Sequence, residues 1–567
     1  MTRRLKTFLP WLLPLSFLGL FYFYPLGSIF GLSFQRQEGP LLPGLLEELS
    51  RPAALRAIRF TFYQAGLSTL LTLALGLPAA YLFGRYTFPG KKLLRALTGV
   101  PFVMPTLVVA ASFSALLGTG GWINQFLMDL FQLSSPPIQF QNTLAAILTA
   151  HVFYNTTIVI RVVGDFWSRL DPRVGQAGAV LGASPWRVFR RITLPLLAPA
   201  VLAAALLVFI FDFTSFGVVL ILGGPRFATL EVEIYQQTIS LFNLPLAGAL
   251  SLLQLACTLS LTVIYTRLTS RLARPLSLQS RKRGEQRLRT GAGRAGAAVL
   301  ILVLLLLMVT PLLALASRSF LPLSAGGPRA ELGPAGPTLA FYKALGQNPQ
   351  QSLFYVAPTT ALGVSLGYAL LTVVLALGLG LPAAWALARQ RDSLINKILD
   401  PLLMLPLGTS AVTLGLGFLV ALDTPPLNLR TSPLLIPLAH TLVAFPFVVR
   451  SLTPALESIR PEIRQAAAVL GASPRQVRFQ IDLPLIGRAL LVAASFAFTI
   501  SLGEFGATAL IVRPEYPTVP IVIYRFLSRP GILNYGQAMA LSTILMLAAL
   551  GGMLVMERFR VGEVGEF

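Results

Sequence analysis

Long apolar stretches alternate with short, arginine-rich ones along the whole chain. Residues 60–83, FTFYQAGLSTLLTLALGLPAAYLF, hold no ionisable acid or base over 24 positions. At about 1.5 Å per helical residue this run can cross a hydrocarbon core of about 30 Å. Similar runs lie near 8–34, 96–117, 141–160, 196–222, 242–266, 295–317, 358–388, 398–422, 431–449, 489–512 and 536–556, which makes twelve in all. The pattern predicts an all-α polytopic membrane protein with about 12 transmembrane helices.

Composition agrees: hydrophobic residues make up 55% and charged residues 12%, with a mean hydropathy of +0.72. Soluble domains carry about 25% charged residues. Twelve spans put both termini on one side, and retention of positive charge in the cytoplasm chooses that side. With the termini inside, about 33 Lys and Arg fall in cytoplasmic segments and about 12 outside, so cytoplasmic N- and C-termini are expected. The net charge of +23 follows from these flanks. Its densest block, residues 267–294, has nine Lys/Arg against Glu285. Between two spans such a block serves as an anchor for membrane lipids, and no nucleic-acid partner is expected. The basic start resembles a signal peptide, but its apolar run is too long for an h-region and no A-x-A site follows. It is read as a retained first helix. Cys257 is the only cysteine, which excludes internal disulfides and thiolate metal clusters.

The chain repeats itself. AVLGASP occupies 179–185 and again 468–474, an offset of 289 residues. At that offset Arg161 matches Arg450, Pro172 matches Pro461, and the only two histidines, His151 and His440, fall in register. FTSFG at 213–217 aligns with LGEFG at 502–506. Upstream, GLPAAYL at 76–82 answers GLPAAWA at 380–386 at an offset of 304, which fits a longer external loop in the first half. Two pseudo-symmetric six-helix halves are therefore predicted: 1–266 and 295–567, joined by the basic cytoplasmic linker 267–294. Six spans separate equivalent points, so the pseudo-twofold axis lies along the membrane normal.

The repeated segments, 169–195 and 458–484, interrupt the membrane pattern and carry arginines. A small-residue helix ends at Gly182, where a left-handed residue is permitted. Ser184 then offers an N-cap and Pro185 a first helical position. A second short helix is predicted to be closed by Pro195 before the next span. Gly471, Ser473, Pro474 and Pro484 repeat the plan. An interfacial linker would account for the arginines but not for seven identical residues in halves that otherwise diverge. Two equivalent cytoplasmic knobs suit a partner that is itself twofold symmetric.

These segments resemble the cytoplasmic coupling loop of ATP-binding-cassette importer permeases, whose pattern begins E-A-A, keeps a glycine and ends I-x-L-P. Gln176, Ala177, Gly178, Gly182, Ile192, Leu194 and Pro195 fill it in the first half. Gln465, Ala466, Ala467, Gly471, Ile481, Leu483 and Pro484 fill it in the second. The bend residues Ala183, Ser184, Pro185 and Ala472, Ser473, Pro474 complete the candidate loops. Both copies replace the acid by glutamine. The resemblance implies a type I importer-like fold in a bacterial plasma (inner) membrane, two separate ATPase subunits docked on the loops, and an extracytoplasmic substrate-binding protein. ATP and Mg would be bound by the ATPases, so no cofactor is expected in this chain. The P-loop needs G-x-x-x-x-G-K-[ST]; GRYTFPGKK at 84–92 misses the glycine spacing and has no Ser or Thr after the lysine. GLGLPA at 378–383 lies inside an apolar span. The chain is not expected to be an enzyme.

Polar groups inside spans are functional candidates. Asp212, Ser215 and Glu504 follow the two loops at similar depth and are candidates for the translocation path; an acid hydrogen-bonded between helices is the competing reading. His151 and His440 are read as packing residues, since no metal-ligand set lies near them. Fused permeases of this layout resemble thiamine and ferric-iron importers, and LGGPRFATLEVEIYQQ at 222–237 and LGEFGATALI at 502–511 look closest to the thiamine type. Thiamine or a related cation is the expected cargo, with ferric iron as the alternative. A secondary transporter would also show duplicated halves but has no use for paired docking loops.

Overall fold

The computed structural model describes residues 11–34, 41–272, 286–288, 290–321, 336–347, 356–389, 394–423 and 427–559. Half of the basic linker, 273–285 and 289, lies outside the described residues. Among the described residues, ten helices are long and apolar enough to cross a membrane, and two bent pairs bring the number to twelve if each is one span. Each falls on one of the predicted apolar runs. Apart from helices, Tyr86–Thr87 pairs in parallel with Gln286–Arg287.

Four runs expected as single helices are broken. The run 96–117 divides into Lys91–Val103 and Thr106–Leu117. Pro105, between them, has no N–H to continue the ladder. The run 398–422 turns by 95° between Ile395–Gly408 and Ala411–Ala421, where Ser410 caps the second helix through Val412 N and Thr413 N. The helices Leu194–Phe213 and Gly487–Gly503 stop at FTSFG and LGEFG, and short helices Gly217–Leu222 and Gly506–Ile511 resume beyond the bends. Apolar periodicity alone does not reveal such breaks, because side chains on both sides of a bend remain apolar.

Each half has its own three-helix unit: Pro52–Arg85, Leu144–Arg169 and Leu194–Phe213 in the first, Pro358–Arg389, Leu435–Glu457 and Gly487–Gly503 in the second. The repeated GLPAA motif explains one close approach in both. A Cβ on Gly76 would stand 2.6 Å from Val159 Cβ, and one on Gly380 would stand 2.6 Å from Val448 Cγ1. Only glycine lets those backbones meet.

The halves also exchange their first spans. Tyr24–Phe34 packs on Ala411–Ala421 of the second half, and Tyr22 bonds Thr409 at 2.7 Å. Gly291–Arg318, the first span of the second half, packs on Thr106–Leu117 of the first. Buried Arg318 donates to Gly120 O at 2.6 Å and Gln125 Oε1 at 2.5 Å. One apolar core runs through both halves, with smaller clusters inside each three-helix unit.

Candidate functional site

At one end of each three-helix unit the repeated segment folds as its residues dictate. Helix Pro172–Val180 opens on Asp171, whose carboxylate accepts Arg173 N at 2.9 Å. Gly182 takes φ +80° and Gly471 φ +86°. Gly182 N donates to Ala179 O at 3.0 Å and Ala183 N to Gly178 O at 3.1 Å, the paired bonds that end a helix on a left-handed residue. Gly471 N to Ala468 O, 3.1 Å, and Ala472 N to Ala467 O, 2.9 Å, repeat them. Ser184 Oγ accepts Arg187 N at 3.4 Å; Ser473 Oγ accepts Gln476 N at 3.3 Å while Gln476 returns its side chain to Ser473 N at 2.7 Å. Pro185 and Pro474 stand at the first helical positions.

The predicted closure does not form at Pro195, whereas the second loop's helix does end just after Pro484. Pro185–Val188 runs through a π-helical turn, Phe189–Thr193, into the span Leu194–Phe213. Pro474–Gln476 likewise passes through a π-helical turn, Val477–Asp482, into Leu483–Leu485, but there the chain breaks at Ile486 and turns by 72° before the span Gly487–Gly503. Each proline lacks an N–H and its ring crowds the carbonyl four residues earlier. The widened turn moves that carbonyl aside, so each helix passes its proline, running on to Phe213 in the first half and ending at Leu485 in the second.

The loops present an apolar tip. Val180 and Leu181 are 86% and 88% exposed, and Val469 and Leu470 are 86% and 87% exposed. Gln176, Ala177, Gln465 and Ala466 lie on the same open side. Ile192 and Ile481 are half-buried under the bends, and Leu194, Pro195, Leu483 and Pro484 begin the following turns.

The intramembrane acids sit further along the same spans. Asp212 is buried and accepts Asn155 Nδ2 at 2.7 Å; His151 Nδ1 is 3.3 Å from its Oδ1. His151 also bonds Ser68 Oγ at 2.9 Å and Ser215 Oγ at 2.8 Å. Glu504 is buried and accepts Ala507 N at 2.8 Å and the Thr508 hydroxyl at 2.5 Å, with His440 Nε2 at 3.2 Å. His440 bonds Ser501 Oγ at 2.8 Å. By the 289-residue offset Asp212 matches Ser501 and Ser215 matches Glu504. The acid and the serine have exchanged places one turn apart, yet each half keeps one histidine between one acid and one serine. A buried carboxylate needs such partners.

Sequence reading missed a third acid and an aromatic group. Glu231, on helix Leu230–Ile239, is buried, takes Gln254 Nε2 at 2.9 Å and adjoins the Ser410 hydroxyl. Phe216 and Phe505, immediately past the two bends, stack at 5.2 Å and 21° across the boundary between halves. Tyr235 packs on Phe216 at 5.4 Å and Tyr524 on Phe505 at 5.5 Å. Both pairs obey the same 289 offset, so the signal was present in the sequence.

Comparison with known proteins bears on this geometry. The thiamine transport system permease protein of Haemophilus influenzae is 28% identical over 95% of this chain and 93% of its own length. The proteins of that name from Escherichia coli K12 and Brucella abortus are 28% and 29% identical, covering 82% and 89% of this chain and 82% and 87% of theirs. A bacterial ABC transporter that imports alginate aligns over 48% of this chain and 98% of its own, with 16% identity and a TM-score of 0.41. The family model for binding-protein-dependent transport system inner membrane components matches twice, at residues 74–274 and 376–559, so each half carries one copy. The chain belongs to that family and is the fused, two-half permease of an ABC importer.

Proposed function

We propose that this permease forms the translocation path for thiamine, with two ATPase subunits on the paired loops and a substrate-binding protein at the opposite face. The thiamine assignment is carried by the thiamine permeases matched over 82–95% of the chain. The docking assignment is supported by the exposed Val–Leu tips, which differ by no more than about one per cent in exposure between halves. The arginine-rich loops favour a cytoplasmic position, and with it cytoplasmic termini.

A Gly182→Val, Gly471→Val pair tests the docking. Neither position meets another atom within 4 Å of a new Cβ, so the cost arises from φ alone, about 1–2 kcal/mol at each. The variant is expected to lose capture of the ATPase and uptake together, while Asn at both positions retains more of each. Unchanged capture by the Val pair contradicts the docking assignment. Calorimetry of the partner binding protein decides the cargo: thiamine binding is expected, and ferric citrate binding in its place assigns the transporter to iron.

A further inference from the structure

The aromatic group has no role in docking, and its position calls for one. Phe216 and Phe505 each follow a bend that ends a span, and about 30 Å of helix separates Phe216 from the first loop. Their stacked rings join equivalent points of the two halves and so lie on the pseudo-twofold axis, where duplicated membrane halves place a substrate path. Tyr235 and Tyr524 flank them and meet through their hydroxyl groups. The packing is tight on both sides: a Cβ on Gly217 would stand 2.5 Å from Thr106 Oγ1 and 3.3 Å from Phe505 Cδ1.

Two buried acids lie beside this quartet, and half-buried Arg525 follows Tyr524 on helix Val519–Leu527. Glu504 adjoins Phe505 in sequence, and Glu231 lies one helical turn before Tyr235. The two carboxylates are close enough to interact with each other. Their side-chain partners are Gln254 and Ser410 for Glu231, and His440 and Thr508 for Glu504; among the described residues neither pairs with Lys or Arg. At the 289 offset their counterparts are Pro520 and Ser215, so neither acid is repeated in the other half.

We propose that Phe216, Phe505, Tyr235 and Tyr524 form a gate across the path, closed by ring stacking, whose parted faces together with Glu231 and Glu504 receive an organic cation. When the halves move apart, the faces that covered each other become free. Aromatic faces attract quaternary and heteroaromatic cations, most strongly where water is excluded. A cation between them also relieves two carboxylates held in an apolar setting. The cation class rests on the thiamine reading; the closure does not.

The test uses the whole transporter with its ATPase and binding protein in proteoliposomes. A Phe216→Leu, Phe505→Leu pair keeps apolar volume and removes the ring faces. Thiamine moved per ATP hydrolysed is expected to fall roughly tenfold, with recovery in the Phe216→Tyr, Phe505→Tyr pair. Transport by the leucine pair at the wild-type ratio overturns cation recognition by the rings. Closure is read separately, in a Cys257→Ser background carrying Phe216→Cys and Phe505→Cys. A short bifunctional thiol reagent is expected to bridge the cysteines without nucleotide and to fail in the vanadate-trapped complex. Equal bridging in both states overturns the gate. If wild-type vesicles carry no thiamine, the thiamine reading and the cation class fall together, while the bridging result still decides the gate.

Discussion

The two repeated loops share a backbone and a tip but are supported by different chemistry. In the second half Asp482 is fully buried and takes Arg464 Nε at 2.7 Å, with Arg389 Nη2 at 3.8 Å. Arg464 also donates to Leu456 O at 3.2 Å, tying helix Pro461–Val469 to the span before it. The first half has Gly175 and Thr193 at the positions of Arg464 and Asp482. There the loop rests on rings: Phe189 stacks between Trp186 at 5.6 Å and Trp167 at 6.4 Å. Gly178 closes the gap, since a Cβ there would stand 2.7 Å from Ile192 Cδ1. Its counterpart in the second half is Ala467. What is identical is therefore what sets shape and exposure: the left-handed glycine, the serine cap, the proline and the Val–Leu tip. The support beneath is free to be ionic or aromatic, because either fixes the same backbone.

That contrast can be broken from either side. The largest effect is expected from Asp482→Ala, which leaves Arg464 and Arg389 facing a vacated buried site. A cost of about 3 kcal/mol is expected, confined to the second loop. Limited proteolysis should cut near 460–484 first, and cutting at 171–195 as well would refute separate support. Converting the pair to the first half's residues, Arg464→Gly with Asp482→Thr, should recover part of that loss, because of the two arginines only Arg389, which is the more exposed, then lacks its partner. Next is Phe189→Ala, which removes the middle ring of the stack and should cost about 1–2 kcal/mol in the first loop alone. Its positional counterpart, Arg478→Ala, should alter thermal inactivation of the purified complex far less. Arg478 is half-buried and its Nε donates to Pro474 O at 3.2 Å, a bond within its own loop. The smallest effect is expected from Gly178→Ala. The clash falls on the far end of a flexible side chain, so a shift in inactivation temperature equivalent to less than about 1 kcal/mol should be seen. A larger loss would mean that Ile192 cannot move.

Much of this was legible in the sequence. Each loop bend follows from local rules: a glycine free to take positive φ, a serine whose hydroxyl reaches a backbone N–H two or three residues on, and a proline that wants the first turn. The twelve apolar runs, the duplication and the equivalence of His151 with His440 needed only the order of residues. The local rule for proline holds near Pro484, where the helix ends at Leu485, and fails at Pro195. A proline does forbid the regular bond, but a helix already anchored at both ends widens one turn instead of ending.

Residue order alone sets the class of protein, the number of membrane runs, the twofold plan and the shape of the repeated loops' bends, because periodicity, capping and backbone freedom act over a few residues. Only the tertiary structure decided that each half lends its first span to the other and that Asp212 and Glu504 sit on histidines. It alone brought Phe216 against Phe505 and joined Glu231 to Glu504, residues 273 positions apart. Those pairings depend on which apolar faces meet when two six-helix halves pack. Hydrophobic burial is non-directional, so close packing between particular side chains, not the apolar pattern, selects among the possible arrangements.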